Sequence, residues 1–213
     1  MQLIMLHGMG QSASSWDKTT ALLSPDINAV CPELSEFFIR GECNYSAMYS
    51  AFCKYLDCFE RPLNLCGLSL GAVLALNYAA DHPQDVGSLI LFAPQFDMPK
   101  ALLKFQNVVF KFMPNKMFAD IGFTKKDFIS LTNSMADIDL SDRLSAINCP
   151  VLIACGEKDK TNIKAARQLT EKLSSAEFTL VSGAGHEVNT DAPEKLAKLL
   201  TTWCKGIQEV MEK

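Results

Sequence analysis

Apolar residues recur along this chain in two alternating patterns, short unbroken runs and longer stretches at helical spacing. The runs at 1–6, 27–31, 63–66, 86–93, 151–155 and 178–181 are too short for helices. Each reads as a strand that can be buried on both faces. Between them, a helix runs to Leu23 and can be capped by Ser12, Ser14 or Ser15. Residues 45–59 carry Met48, Phe52, Tyr55, Leu56 and Phe59 at helical spacing, and 70–80 and 164–173 read as further helices. The closing helix spans 193–205, with Asp191 as N-cap and Glu194 three residues on, a capping-box arrangement. Strands alternating with helices predict one α/β domain over residues 1–213, with a mostly parallel sheet of about six strands flanked by helices.

The alternation breaks from 94 to 148. Bulky apolar residues crowd this insertion, among them Phe96, Leu103, Phe105, Phe110, Met113, Met117 and Phe118, interrupted by Pro99, Pro114 and Gly122. Short helices are expected here. They can form a core of their own and at the same time make a lid whose apolar underside lines a pocket, and a helical lid over 94–148 is the expectation.

Composition narrows the function. A net charge of −4 over 213 residues, with no basic tract, argues against a nucleic-acid partner. The arginines are Arg40, Arg61, Arg143 and Arg167, too few for a strongly anionic substrate. No apolar run approaches the ~20 residues of a membrane span, and the first residues lack the basic and apolar regions of a secretory signal. A cytoplasmic location follows as the expectation. The eight cysteines contain no Cys-x-x-Cys pair, so reduced, mostly buried thiols are expected, with no metal and no cofactor.

Candidate chemistry clusters where strands end, the edge at which open α/β sheets bind ligands. Gly67-Leu68-Ser69-Leu70-Gly71 joins a strand directly to a helix. So sharp a reversal strains the serine and excludes a Cβ two residues to either side. His7-Gly8-Met9-Gly10 follows the first strand, Gly156-Glu157-Lys158-Asp159 the fifth, and Gly183-Ala184-Gly185-His186 the last. The three histidines are His7, His82 and His186. His7 reads as shaping its loop, His82 as an exposed helix-end residue, and His186 as the candidate base. The residues alone leave Asp159, Glu157 and Asp97 as candidate acids.

These segments, in this order, resemble the α/β-hydrolase family over nearly the whole chain. His7–Gly10 with Trp16 is similar to its oxyanion loop, Gly67–Gly71 to its nucleophile elbow, Gly156–Asp159 to its acid turn and Gly185-His186 to its histidine loop. The chain departs from the family pattern twice. It starts at what corresponds to the third strand, so the amino-terminal hairpin is expected to be absent. After Pro32, Glu33-Leu34-Ser35-Glu36-Phe37-Phe38 stands in place of the usual Asp-x-x-Gly-x-Gly. The resemblance implies Ser69 as nucleophile, His186 as base and Asp159 as the acid that orients it, with the N–H groups of Met9 and Leu70 as oxyanion donors. It implies hydrolysis of small or medium apolar carboxylic esters or thioesters through an acyl-enzyme. Carbon–carbon bond hydrolysis, acyl transfer and ligand binding without turnover are the alternatives on the same fold. A serine at the elbow disfavours dehalogenase and epoxide-hydrolase chemistry, for which the family resemblance implies an aspartate there.

Overall fold

The computed structural model describes residues 1–38, 43–100, 103, 112 and 124–211. Six strands form a single sheet: β1 (Gln2–Leu6), β2 (Asn28–Val30), β3 (Leu63–Leu68), β4 (Val86–Phe92), β5 (Val151–Gly156) and β6 (Ala176–Val181). Their order is β2-β1-β3-β4-β5-β6 and every neighbouring pair is parallel. The described helices are α1 (Asp17–Thr20), α2 (Tyr45–Leu56), α3 (Leu70–Asp81), α4 (Lys125–Met135), α5 (Lys160–Lys172), α6 (Val188–Asp191) and α7 (Pro193–Met211).

Burial follows position in the sheet. All six residues of β5, and all of β4 but Gly87, are buried, as the unbroken apolar runs require. β6 stands at the edge, and only Val181 of its six residues is buried. Helix α3 has no polar face: Leu70 to Ala80 are all buried, which explains its Ala- and Leu-rich sequence. It packs on β3, β4 and β1, while α1, α6 and α7 pack on one another.

The chain leaves β1 for β2 on one side and returns to β3 on the other, so connections diverge at the carboxyl ends of β1 and β3. That divergence opens a crevice at the sheet edge, and the loops at 7–10 and 69 flank it.

Several element ends differ from the sequence expectation. The first helix is a 3-10 turn, Ala13–Trp16, followed by the short α1 that stops at Thr20. No serine side chain caps that turn; Ser15 Oγ donates to Ser12 O instead (2.7 Å). Helix α5 starts at Lys160 because Asp159 already occupies its N-cap position. Helix α7 runs to Met211, past Gly206, and Asp191 ends α6 rather than capping α7. All eight cysteines are free, but only Cys66, Cys155 and Cys204 are buried, and Cys58 is exposed. The described part of the insertion contains α4, opened by a Thr124–Asp127 capping box, and a 3-10 turn at Ser141–Ala146. The rings of Phe105, Phe110 and Phe118 lie outside the described residues. Among the described residues, no helix is long and apolar enough to cross a membrane.

Two glycines should respond oppositely to alanine. A Cβ on Gly71 would lie 2.4 Å from Leu6 O, whereas one on Gly206 would meet nothing within 4 Å. Gly71→Ala should cost about 1–3 kcal/mol by overpacking, lowering Tm by about 2–12 °C. Gly206→Ala should raise Tm by about 2–3 °C, because alanine is the better helix former by roughly 0.5–1 kcal/mol. Thermal melts followed by circular dichroism check both; a neutral Gly71→Ala would show that α3 can back away from β1.

Candidate active site

Ser69 occupies the turn between β3 and α3 with φ 54° and ψ −111°, a region that side chains with a Cβ rarely adopt. The surroundings hold it there. A Cβ on Gly67 would fall 2.3 Å from the backbone of Gly71, and one on Gly71 would strike Leu6. The Ser69 N–H donates to Phe92 O (2.9 Å), and Ser69 O accepts from Val73 N–H (3.0 Å). The serine therefore projects from the crest of a rigid bend. Among the described residues, no backbone carbonyl takes the Leu70 N–H, which lies at the first turn of α3.

On the other side of the crevice, β5 and β6 end in register at Gly156 and Val181. Beyond them the two loops are joined: Glu157 N–H donates to Val181 O (3.0 Å) and Lys158 N–H to Ala184 O (2.9 Å). They approach so closely that a Cβ on Gly156 would sit 1.9 Å from Gly185 O. Asp191 Oδ2 accepts the Gly185 N–H (2.7 Å), which is where that carboxylate goes instead of a helix cap.

This stitching brings His186 Nδ1 to 2.7 Å from Asp159 Oδ2. The Asp159 side chain is 5% exposed and the imidazole 44%. Burial pushes the Asp159 carboxyl up, but hydrogen bonds from His186 and Asn162 outweigh it and hold the group below its ordinary value. Asn162 Nδ2 reaches both carboxylate oxygens at 2.9 Å and lies 3.1 Å from His186 Nδ1. Its own Oδ1 accepts from Gln95 Nε2 (2.7 Å).

The other two acids go elsewhere. Glu157 is exposed and accepts from Ser182 Oγ (3.2 Å) and Gly183 N–H (2.9 Å), bonds that lower its pKa and tie the loop containing His186. Asp97 is exposed, and its backbone bridges to Asp139. His82 is exposed against Tyr78, and His7 is buried beneath its own loop, with Nδ1 on Gly8 O (2.9 Å).

Ser69, Leu70, Met9, Asp159 and His186 line one cavity of about 300 Å³. Val73, Ala93, Met98, Pro99, Leu103 and Met135 make its apolar wall, and Gln95, Thr161 and Asn162 a polar strip. The sequence reading missed Gln95 and Asn162. It also missed Gln11, which receives the Gly8 N–H (3.1 Å) and donates to Asn189 Oδ1 (3.0 Å), both amides being buried. That pair ties the loop containing Met9 to the chain just beyond His186. An amide in a loop looks solvent-facing until its partner, far away in sequence, is known. Among the described residues, no three His, Cys, Asp or Glu side chains form a group that could hold a metal ion.

A family model described as "Alpha/beta hydrolase family" matches residues 3–199. Monoacylglycerol lipase ABHD6 of Homo sapiens is 22% identical, with the match covering 96% of this chain and 75% of that protein. Pimeloyl-[acyl-carrier protein] methyl ester esterase of Vibrio campbellii is 23% identical over 86% of this chain and 87% of its own. Among solved structures, an esterase from Exiguobacterium antarcticum superposes with a TM-score of 0.83 at 19% identity, covering 96% of this chain and 92% of that one.

Asn162 should matter to stability in a pH-dependent way. Hydrogen bonds hold the folded Asp159 pKa below the unfolded value of about 3.9. Their stabilisation is therefore complete above that value and is lost as pH falls through the folded pKa. Asn162→Ala should cost about 1 kcal/mol or more at pH 7, and the gap to the native chain should shrink towards pH 3. Urea melts across that range check it; a gap that stays constant would mean Asn162 contributes packing rather than support for the anion.

Proposed function

The chain belongs to the alpha/beta hydrolase family, and from that premise we propose that it is a serine hydrolase cleaving carboxylic esters with small or medium apolar acyl groups. The observation carrying the reading is the 2.7 Å contact between Asp159 and His186 Nδ1, on the wall of the cavity that Ser69 also lines. With Nδ1 committed to Asp159, the imidazole keeps Nε2 free to act as an acceptor. His186 takes the Ser69 proton as Oγ attacks the ester carbonyl carbon, and the N–H groups of Leu70 and Met9 receive the charge on the carbonyl oxygen. Asp159 keeps the tautomer and stabilises the imidazolium. The carbon–oxygen bond then breaks, His186 returns the proton to the leaving alcohol, and water hydrolyses the acyl-Ser69 by the same route.

The cavity supports the substrate class. Met9, Met98, Leu103 and Met135 offer a flexible apolar surface, and no lysine or arginine stands among the described lining residues. A volume of about 300 Å³ suits a short acyl chain. Relatives named as a monoacylglycerol lipase and a methyl ester esterase point to ester chemistry. The 94–148 insertion acts in this reading as a lid, since its described residues Gln95, Met98, Pro99, Leu103 and Met135 all line the cavity.

A fluorophosphonate probe should label the native chain and leave Ser69→Ala unlabelled. The same substitution should lower kcat on p-nitrophenyl esters by about five to six orders of magnitude, as removal of a triad serine does elsewhere. Labelling that persists in Ser69→Ala would place the nucleophile at another residue.

Chain-length preference tests the wall. Met98→Ala and Met135→Ala should move the optimum on C2 to C10 esters to longer chains, because each deletion enlarges the cavity. Relative kcat/KM across the series is the readout. An unchanged optimum in both variants would mean that the acyl group lies elsewhere.

A further inference from the structure

The segment after Pro32, one of the two places where this chain departs from the pattern it resembles, is attached to the loop containing Met9. Glu33 directs both carboxylate oxygens inward. Oε1 lies 3.0 Å from His7 Nε2, and Oε2 accepts the Ala13 N–H at 2.9 Å. The next residue joins in, with the Leu34 N–H donating to the same Nε2 at 3.1 Å. On the opposite side of the ring, Nδ1 donates to Gly8 O at 2.9 Å. Residues 7, 8 and 13 are thus tied, directly or through the ring, to residues 33 and 34, and these ties bracket Met9 and Gly10.

The loop needs such ties. Gly8 and Gly10 give it a backbone with little intrinsic preference, and Gly10 sits at φ 90°. An oxyanion donor works only when its N–H already points at the place where charge develops, within a few tenths of an ångström. Glu33 itself does not line the cavity, so it cannot serve by touching substrate.

We infer that Glu33 is a positioning residue for the oxyanion loop, acting through His7 and the Ala13 backbone; this rests on the serine-hydrolase reading given above. The hydrogen-bond demands at His7 Nε2 sharpen the inference. The Leu34 N–H needs a lone pair there, whereas the carboxylate needs a proton. Since Gly8 O takes the Nδ1 proton, a neutral ring serves Leu34 and an imidazolium serves Glu33. A glutamine at 33 can keep the Ala13 N–H through its carbonyl and offer its own N–H to the neutral Nε2, sharing that lone pair with the Leu34 N–H. It should therefore preserve the tether without the charge, while alanine removes the tether altogether.

The experiment compares Glu33→Ala, Glu33→Gln and Glu33→Asp with the native chain, reading kcat and KM on a p-nitrophenyl ester. It also reads the affinity for an alkylboronic acid, which forms a tetrahedral adduct on the serine, and uses thermal melts to confirm folding. Removing one oxyanion donor outright costs about 10²–10³ in kcat. A misplaced donor should cost about 10-fold or more in Glu33→Ala, with boronate affinity falling in step and KM little changed. Glu33→Gln should recover most of both. Glu33→Asp, one methylene too short to hold both partners, should fall between them, and it carries the test if the alanine variant does not fold. Native kcat in both Glu33→Ala and Glu33→Asp, or a fall in kcat with boronate affinity intact, would overturn the inference. A native chain that labels at Ser69 while the Glu33 variants match it would overturn this inference alone. Failure of the native chain to react at Ser69 would overturn the serine-hydrolase reading beneath it.

Discussion

The serine side of the crevice depends on the close approach of Gly71 to Leu6, the last residue of β1. With only a hydrogen at Gly71, helix α3 packs down onto Leu6, and Ser69, two residues earlier, is forced into its strained bend. Leu6 is also the residue from which the His7–Gly10 loop departs. One contact thus sets the height of the helix, the conformation of the serine and the origin of the facing loop. The strain at Ser69 costs on the order of 1–3 kcal/mol. It persists because β4 takes the Ser69 N–H through Phe92 O, and α3 is buried along nearly its whole length.

A second close approach, Gly156 against Gly185, does the same for the acid and the histidine. Side-chain amides join the two constructions, one pair buried and one part-buried. Gln11 and Asn189 connect the first loop to the chain beyond His186, and Gln95 and Asn162 connect the end of β4 to Asp159. Neutral amides suit both places. A buried charge would need its own partner and would bias the ionisation of the Asp159–His186 pair, whereas an amide meets donors and acceptors without adding a field.

Most of the sheet was legible because each central strand is an unbroken apolar run with turn residues at its ends. The elbow was legible because its two glycines are sterically obligatory. Which acid meets His186 was legible only through the family resemblance, since Glu157 and Asp159 leave the same turn two residues apart. What separates their surroundings is the crossing of the 183–186 loop, which takes Glu157 into its backbone and lays His186 on Asp159. Asp191 misled for a related reason: its position satisfied a local capping pattern, but a backbone N–H six residues earlier claimed the carboxylate. Gln11 and Asn189 were beyond reach, because 178 residues separate them and only the finished fold makes them neighbours.

The insertion is bound into the same construction. Met135 and Met98 line the cavity, and on the body of α4 Thr132 Oγ1 lies 3.9 Å from Met9 Sδ. The Phe128 ring stands 3.9 Å from where a Cβ on Gly10 would be. Helix α4 therefore rests on the loop proposed to hold the oxyanion while Met135 in its last turn forms part of the cavity wall proposed to take the acyl group. On the proposed reading, an acyl group that presses on Met135 would also press, through one helix, on Met9 and Gly10. Binding energy from the remote end of a substrate can then be used to seat the donors that matter only in the transition state, which is the condition for binding to raise kcat rather than merely lower KM.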